Sequence, residues 1–261
     1  MKKLLGIVVL GLLFCSDGFA GNIVKLSKDV AYGNSYFKSL SRNYKKYGMK
    51  VVDKKDGHPV RAGQKSIRFE VRPGDCGYND TWNDCDTDRE RHELSGKRMS
   101  GGEWWYSWSI YLPKDFINVH PTKVALGQFH QDPGHVVWMF QNQSFDSPGG
   151  YWVDNGVPGY TKKIDQILTQ DEMIEKWNDI LVHVKWSKKD DGFFKVWLNN
   201  KLVYSYKGST KTTAKVYFKF GIYRSYLKKW IYSSRNKKKE KGVPAQVVYF
   251  DEVRTAKKSC K

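Results

Sequence analysis

Tyr217-Phe218-Lys219-Phe220-Gly221-Ile222-Tyr223-Arg224 reads as one strand of a layered β protein. Side chains alternate between faces in a strand, so Phe218, Phe220 and Ile222 share one face while Tyr217, Lys219 and Tyr223 share the other. The first face is fit only for a core. The second carries hydroxyls and a cation. Two other short stretches have the same character. In Gln128-Phe129-His130, Gln128 and His130 share a face on either side of Phe129. In Arg89-Glu90-Arg91-His92-Glu93-Leu94, Arg89, Arg91 and Glu93 fall together. If the three strands are neighbours, one sheet face gathers two Arg, a Gln, a His, a Lys and two Tyr.

Further strand-like runs surround them: Ser66 to Arg72, Trp104 to Leu112, Val124 to Gln131, Val136 to Gln143, Tyr151 to Asn155, Ile180 to Trp186, Phe193 to Tyr206 and Val247 to Thr255. Asn199-Asn200 suits the positive φ of a tight hairpin inside the seventh. The one helical stretch, Thr169 to Lys176, has Thr169 as cap with Glu172 three residues on. The expectation is an all-β sandwich of two antiparallel sheets.

Lys2 and Lys3 precede an apolar run from Leu4 to Phe14, and Gly18-Phe19-Ala20 offers small residues for cleavage. Residues 1–20 therefore read as a signal peptide, residues 21–261 as a single domain, and the mature protein as secreted or periplasmic. Cys76 and Cys85 bracket a short polar loop and are expected to form a disulfide in an exported protein, leaving Cys260 over. The loop from Asp75 to Asp88 holds Asp75, Asn79, Asp80, Asn83, Asp84, Asp86 and Asp88. That density of oxygens suits a structural Ca²⁺, and turn chemistry accounts for it equally. No zinc-type spacing is present, and no other metal ligand set stands out.

The formal charge is +18, or +17 once Lys2, Lys3 and Asp17 leave with the signal. A charge of this size attracts polyanions. Secretion argues for an acidic polysaccharide rather than nucleic acid, and after signal cleavage no stretch is left that would hold the chain in a membrane. The aromatic content of 15%, with ten Trp, suits sugar rings as well as a core. Trp104, Tyr106 and Trp108 alternate on one face, with Trp197 as a further stacking residue. His183 falls out of phase with Ile180, Val182, Val184 and Trp186, and so is expected on the polar face. The run Arg235 to Lys241 reads as a solvated basic loop or as a basic rim of the cleft.

The three polar strands, in this order, resemble the signature strands of jelly-roll polysaccharide lyases. Alginate lyases of that type carry an Arg/Glu-rich strand, a Gln-Ile-His strand and a Tyr-Phe-Lys-Ala-Gly-Val-Tyr strand. Glucuronan lyases and heparin lyase I share the fold. The resemblance implies a β-jelly-roll sandwich with a concave substrate-binding face. It also implies β-elimination on a uronate-containing polymer, with no cofactor required. Such a reaction needs the carboxylate neutralised, a base for the proton beside it, and an acid for the leaving oxygen. By resemblance Gln128, His130 and Tyr223 form the catalytic trio, with Arg91 beside them. Either His130 or Tyr223 is the base. His130 is expected to titrate near neutrality, and Tyr223 to have a lowered pKa among cations. Arg89, Lys219, Tyr217, Arg224 and Trp197 are the candidate substrate-binding residues. The Arg-Glu-Arg-His-Glu run departs from the alginate-lyase pattern and tilts the expectation toward a polyglucuronate. Alginate and heparin-type chains also fit the charge. The protein is expected to act as a monomer. The competing expectation is a noncatalytic carbohydrate-binding jelly-roll protein. A glycoside hydrolase of this fold would need a Glu-x-Asp-x-x-Glu strand, which does not occur.

Overall fold

A computed structural model describes residues 36–144, 146–157 and 163–257. The signal-peptide segment and Cys260 lie outside the described residues. The strands are β1 (Tyr36–Lys38), β2 (Met49–Asp53), β3 (Lys65–Val71), β4 (Arg89–Gly96), β5 (Gly102–Tyr111), β6 (Lys123–Asp132) and β7 (Val136–Gln143). They continue with β8 (Pro148–Asn155), β9 (Lys163–Leu168), β10 (Asn178–Trp186), β11 (Phe193–Leu198), β12 (Lys201–Lys207), β13 (Lys215–Ser225) and β14 (Gln246–Lys257). Helix α1 (Gln170–Met173) precedes β10, and α2 (Leu227–Ile231) follows β13.

Two antiparallel sheets of seven strands result, ordered β1-β4-β13-β6-β7-β8-β9 and β12-β11-β10-β5-β14-β3-β2. This is the expected all-β jelly-roll sandwich. Its core is aromatic, because the inward positions of facing strands carry large rings. Trp108 packs edge-on to Phe140 and stacks on Phe218, and Phe129 contacts Tyr106, Trp186, Phe194 and Phe218. Tyr106 and Trp108 therefore belong to the core and form no sugar platform, while Trp104 packs half-buried against it.

Local signals resolve as the sequence suggests. Thr169 and Glu172 form a complete capping box at α1. Asn199 and Asn200 both take positive φ between β11 and β12. Cys76 and Cys85 are joined in a disulfide. Between β3 and β4, that bridge closes the loop which precedes the Arg-rich strand.

The three polar strands are immediate neighbours: β4 pairs with β13 and β13 with β6. The register sets Arg91 opposite Tyr223, Lys219 opposite both Ser95 and Gln128, and Tyr217 opposite His130. Three irregularities tune the pairing. The β13–β6 register shifts between Lys219 and Tyr223, where Gly221 has φ 130°. The β6–β7 register shifts between Ala125 and Gly127 and again between Phe129 and His130. A bulge advances the side-chain alternation by one residue. Val124 and Leu126 thus face the core, yet Phe129 does too, and Gln128 and His130 emerge on the other side.

Candidate active site

The polar face is recessed. Gln128, Arg91 and Lys219 point away from the core, yet are only 1%, 8% and 3% exposed. Their polar atoms form one network centred on Glu93. Gln128 Nε2 donates to Glu93 Oε1 at 2.5 Å, Lys219 Nζ lies 2.7 Å from Glu93 Oε2, and Arg91 Nη1 lies 3.3 Å from the same oxygen. Burial alone would raise the Glu93 pKa, but Lys219 and Arg91 hold it below the usual carboxylate range. Glu93 is therefore a fixed anion. Burial acts the other way on Lys219, bringing its ammonium down to about 8 in spite of Glu93.

Arg91 is spent before any ligand arrives. Its Nη2 donates to Asp84 Oδ1 at 2.7 Å and its Nε to Asp84 Oδ2, while its guanidinium lies 4.2 Å from the Tyr223 ring centre. Asp84 is fully buried, and its role was not foreseen; it lies in the disulfide loop, distant in kind from any strand pattern. Arg89 is the arginine with capacity left. Its Nε donates to the Tyr223 hydroxyl at 2.7 Å and its Nη1 to the Thr87 carbonyl. Its Nη2 makes no hydrogen bond among the described residues.

His130 lies at the other end of the row, its ring 5.3 Å from that of Tyr217. Nδ1 lies 2.7 Å from the Gln131 carbonyl, which can only accept, so Nδ1 carries the proton and Nε2 presents a lone pair. Burial, aided by Lys219, lowers the His130 pKa to about 4 rather than leaving it near neutrality. Tyr223 also departs from expectation: burial outweighs Arg91 and Arg89 and raises its pKa. Tyr217 is raised as well, chiefly by burial. Both phenols keep their protons at neutral pH. Tyr217 and Tyr223 are six residues apart on β13, about 20 Å along an ideal strand. The tyrosine beside His130 is thus Tyr217, and Tyr223 belongs with Arg89 and Arg91.

Three expectations are corrected. Arg224 does not face the cleft. It alternates onto the inner side with Ile222, is fully buried, and pairs there with Glu90 and the Pro244 carbonyl. Trp197 sits on β11 of the second sheet, near Trp105 and His183. His183 stacks on Trp105 with ring centres 3.7 Å apart and bonds Glu103. Its neighbours along β10 point into the core, so this cluster lies on the far outer side of the molecule. Beside it, a cavity of about 230 Å³ is lined by residues including Arg61, Trp105, Asp179 and Arg254.

The loop oxygens considered for Ca²⁺ are engaged locally. Asp75 accepts from Tyr47 and from the Arg72 amide, Asn79 from the Thr81 and Trp82 amides, Asp80 pairs with Arg42, and Asp86 accepts from Asn83. Among the described residues no group of three or more His, Cys, Asp or Glu is arranged to hold a metal ion. No helix among them is long and apolar enough to cross a membrane.

Residues 41–254 match the family model described as polysaccharide lyase. No curated protein matches the chain. Among solved structures, an endo-β-1,4-glucuronan lyase from the fungus Trichoderma reesei superposes with a TM-score of 0.54 at 16% identity, covering 85% of this chain and 90% of that one. The alginate lyase AlgAT5 from Polysaccharide Lyase family 7 gives 0.51 at 15% identity, with 85% and 94% covered. The catalytic domain of a glycoside hydrolase family 131 protein from Coprinopsis cinerea gives 0.56 at 12%, with 88% and 86% covered. At these identities the three likenesses speak for the shared fold.

Proposed function

Since the chain belongs to the polysaccharide lyase family, we propose that it cleaves an anionic, uronate-containing polysaccharide by β-elimination on the polar face of β4, β13 and β6. The observation that carries this reading is His130: a neutral imidazole with Nδ1 committed to a backbone carbonyl and Nε2 left free. His130 Nε2 takes the proton from the carbon bearing the carboxylate. Charge builds on that carboxylate, and the second amide hydrogen of Gln128 and the cation Lys219 stabilise it. The bond from the neighbouring carbon to the leaving oxygen breaks as the double bond forms. A protonated tyrosine returns a proton to that oxygen. Family resemblance favours Tyr223 as this acid; proximity to His130 favours Tyr217.

The charge pattern argues for elimination over hydrolysis. Hydrolysis needs a carboxylic acid that keeps its proton and a second carboxylate across the bond. Glu93, the carboxylate on this part of the face, is buried, ion-paired and held ionised. Every proton transfer is supplied by side chains of the chain, so the proposed route calls for no cofactor. The Cys76–Cys85 disulfide supports an oxidising compartment, outside the cytoplasm. The departure at Arg89 to Glu93 from the alginate-lyase pattern favours a polyglucuronate over alginate or a heparin-type chain.

The test is ultraviolet absorbance over time with glucuronan, alginate, heparin and hyaluronan, because elimination leaves a double bond conjugated to the carboxylate. The expected result is a rise with glucuronan, reduced at least about a hundredfold in His130→Ala. Tyr217→Phe and Tyr223→Phe then identify the acid. Tight binding of one polymer with no rise from any would replace this reading with a noncatalytic carbohydrate-binding protein.

A further inference from the structure

The disulfide loop between β3 and β4 does more than hold Arg91. It carries Trp82, 44% exposed although tryptophan is among the most costly side chains to leave in water. Trp82 is held firmly. Its amide donates to Asn79 Oδ1 at 2.8 Å, its carbonyl accepts from the Asn79 amide at 2.9 Å, and its indole Nε1 donates to Asp84 Oδ1 at 2.9 Å. Asp84 is the carboxylate that grips Arg91. The Arg89 guanidinium lies 5.2 Å from the Trp82 ring centre, and the same Arg89 bonds Tyr223. An exposed, rigid indole thus stands beside an arginine whose Nη2 is unused, at the end of the polar face away from His130.

We propose that Trp82 and Arg89 form a sugar subsite at this end of the cleft, which takes one uronate unit of the acidic polymer. The indole receives the apolar face of the sugar ring, and Arg89 Nη2 receives its carboxylate. The loop's own carboxylates compete little for Arg89, since Asp84 is neutralised by Arg91 and Asp80 by Arg42, and Asp88 accepts from the Lys228 amide. The disulfide and the Asn79 turn fix the indole before the sugar arrives, so little ordering is left to oppose binding. This inference rests on the proposed lyase reading for the identity of the polymer.

The experiment is calorimetric binding of an oligoglucuronate to His130→Ala, which leaves the chain uncut, and to His130→Ala carrying Trp82→Ala or Trp82→Tyr. Steady-state kinetics of Trp82→Ala and Trp82→Tyr in the otherwise natural chain run alongside. The expected result is Kd and KM raised about tenfold by Trp82→Ala, kcat within about twofold, and recovery in Trp82→Tyr. Unchanged Kd in Trp82→Ala, or no binding of the oligosaccharide by His130→Ala, overturns the subsite. Failure of the lyase reading looks different: the natural protein produces no absorbance rise, whatever Trp82 does to Kd.

Discussion

At the scale of single residues, the site works by holding groups away from their ordinary protonation. His130 shows the cost. Its folded pKa of about 4 lies below the 6.5 of an unfolded chain. As pH falls through 6.5 the unfolded state takes up the proton first, so stability is complete above 6.5, drains between 6.5 and 4, and levels below. The gap is worth about 3 kcal/mol at most. Urea unfolding at pH 7 and pH 4 should show His130→Gln losing less stability than the natural protein by up to that amount; equal losses would mean that His130 titrates normally. The same value places the acid limb of kcat/KM well below 6.5 if His130 is the base. Asp84 sets the second residue-scale expectation. It is the buried counterion of Arg91 and the anchor of the Trp82 indole. Asp84→Asn leaves Arg91 buried with a neutral partner and should lower stability by about 3 kcal/mol, read as a fall in Tm. Charge-conserving Asp84→Glu cannot keep the paired geometry and should recover only part of it.

Elements explain what the sequence could and could not tell. Strand identity was legible because Phe218, Phe220 and Ile222 alternate without interruption against Tyr217, Lys219 and Tyr223. The capping box and the Asn-Asn hairpin were legible because each is a purely local arrangement. Short β1 and β2 have too few residues for a period, and α2 is barely more than one turn. Arg224 was misread although alternation already placed it with Ile222; the appeal of a cation next to Tyr223 outweighed the period. Trp197 and His183 were misread for another reason. Each has the right parity for an outward position, but parity does not say which sheet's outer side it faces. Asp84 and Trp82 were out of reach, since their partners Arg91 and Arg89 meet them only through the folded path of the disulfide loop. Bulges were also hidden, though Gly221 marks one. A Cβ there would lie 2.3 Å from the His92 carbonyl oxygen and 2.9 Å from the Glu93 Cα, and neither backbone atom can yield. With φ at 130° the position is strained for any other residue. Gly221→Ala should therefore cost more than about 2 kcal/mol in chemical denaturation and loosen Glu93 with it. A neutral substitution would mean that the β4–β13 pairing is laxer than this register implies.

For the whole molecule the question is where the charge acts. The face itself is nearly balanced: Arg91 and Lys219 are matched by Asp84 and Glu93, and Arg89 remains. The net charge of +18 is carried mainly elsewhere, over the exposed lysines and arginines of the surface. Such a distribution attracts a polyanion from a distance but contributes little to the step at the bond. Long-range attraction is screened once the Debye length shrinks to about 10 Å at 0.1 M salt, whereas buried pairs are screened far less. Raising the salt should therefore increase KM for an acidic polymer severalfold while kcat holds steady. Replacing Lys237, Lys238 and Lys239 with Ser should flatten that salt dependence only in part, because the run is a small share of the total charge. Kinetics at a series of ionic strengths separates the alternatives. A parallel fall in kcat would mean instead that the screened, exposed charge also acts on the step at the bond.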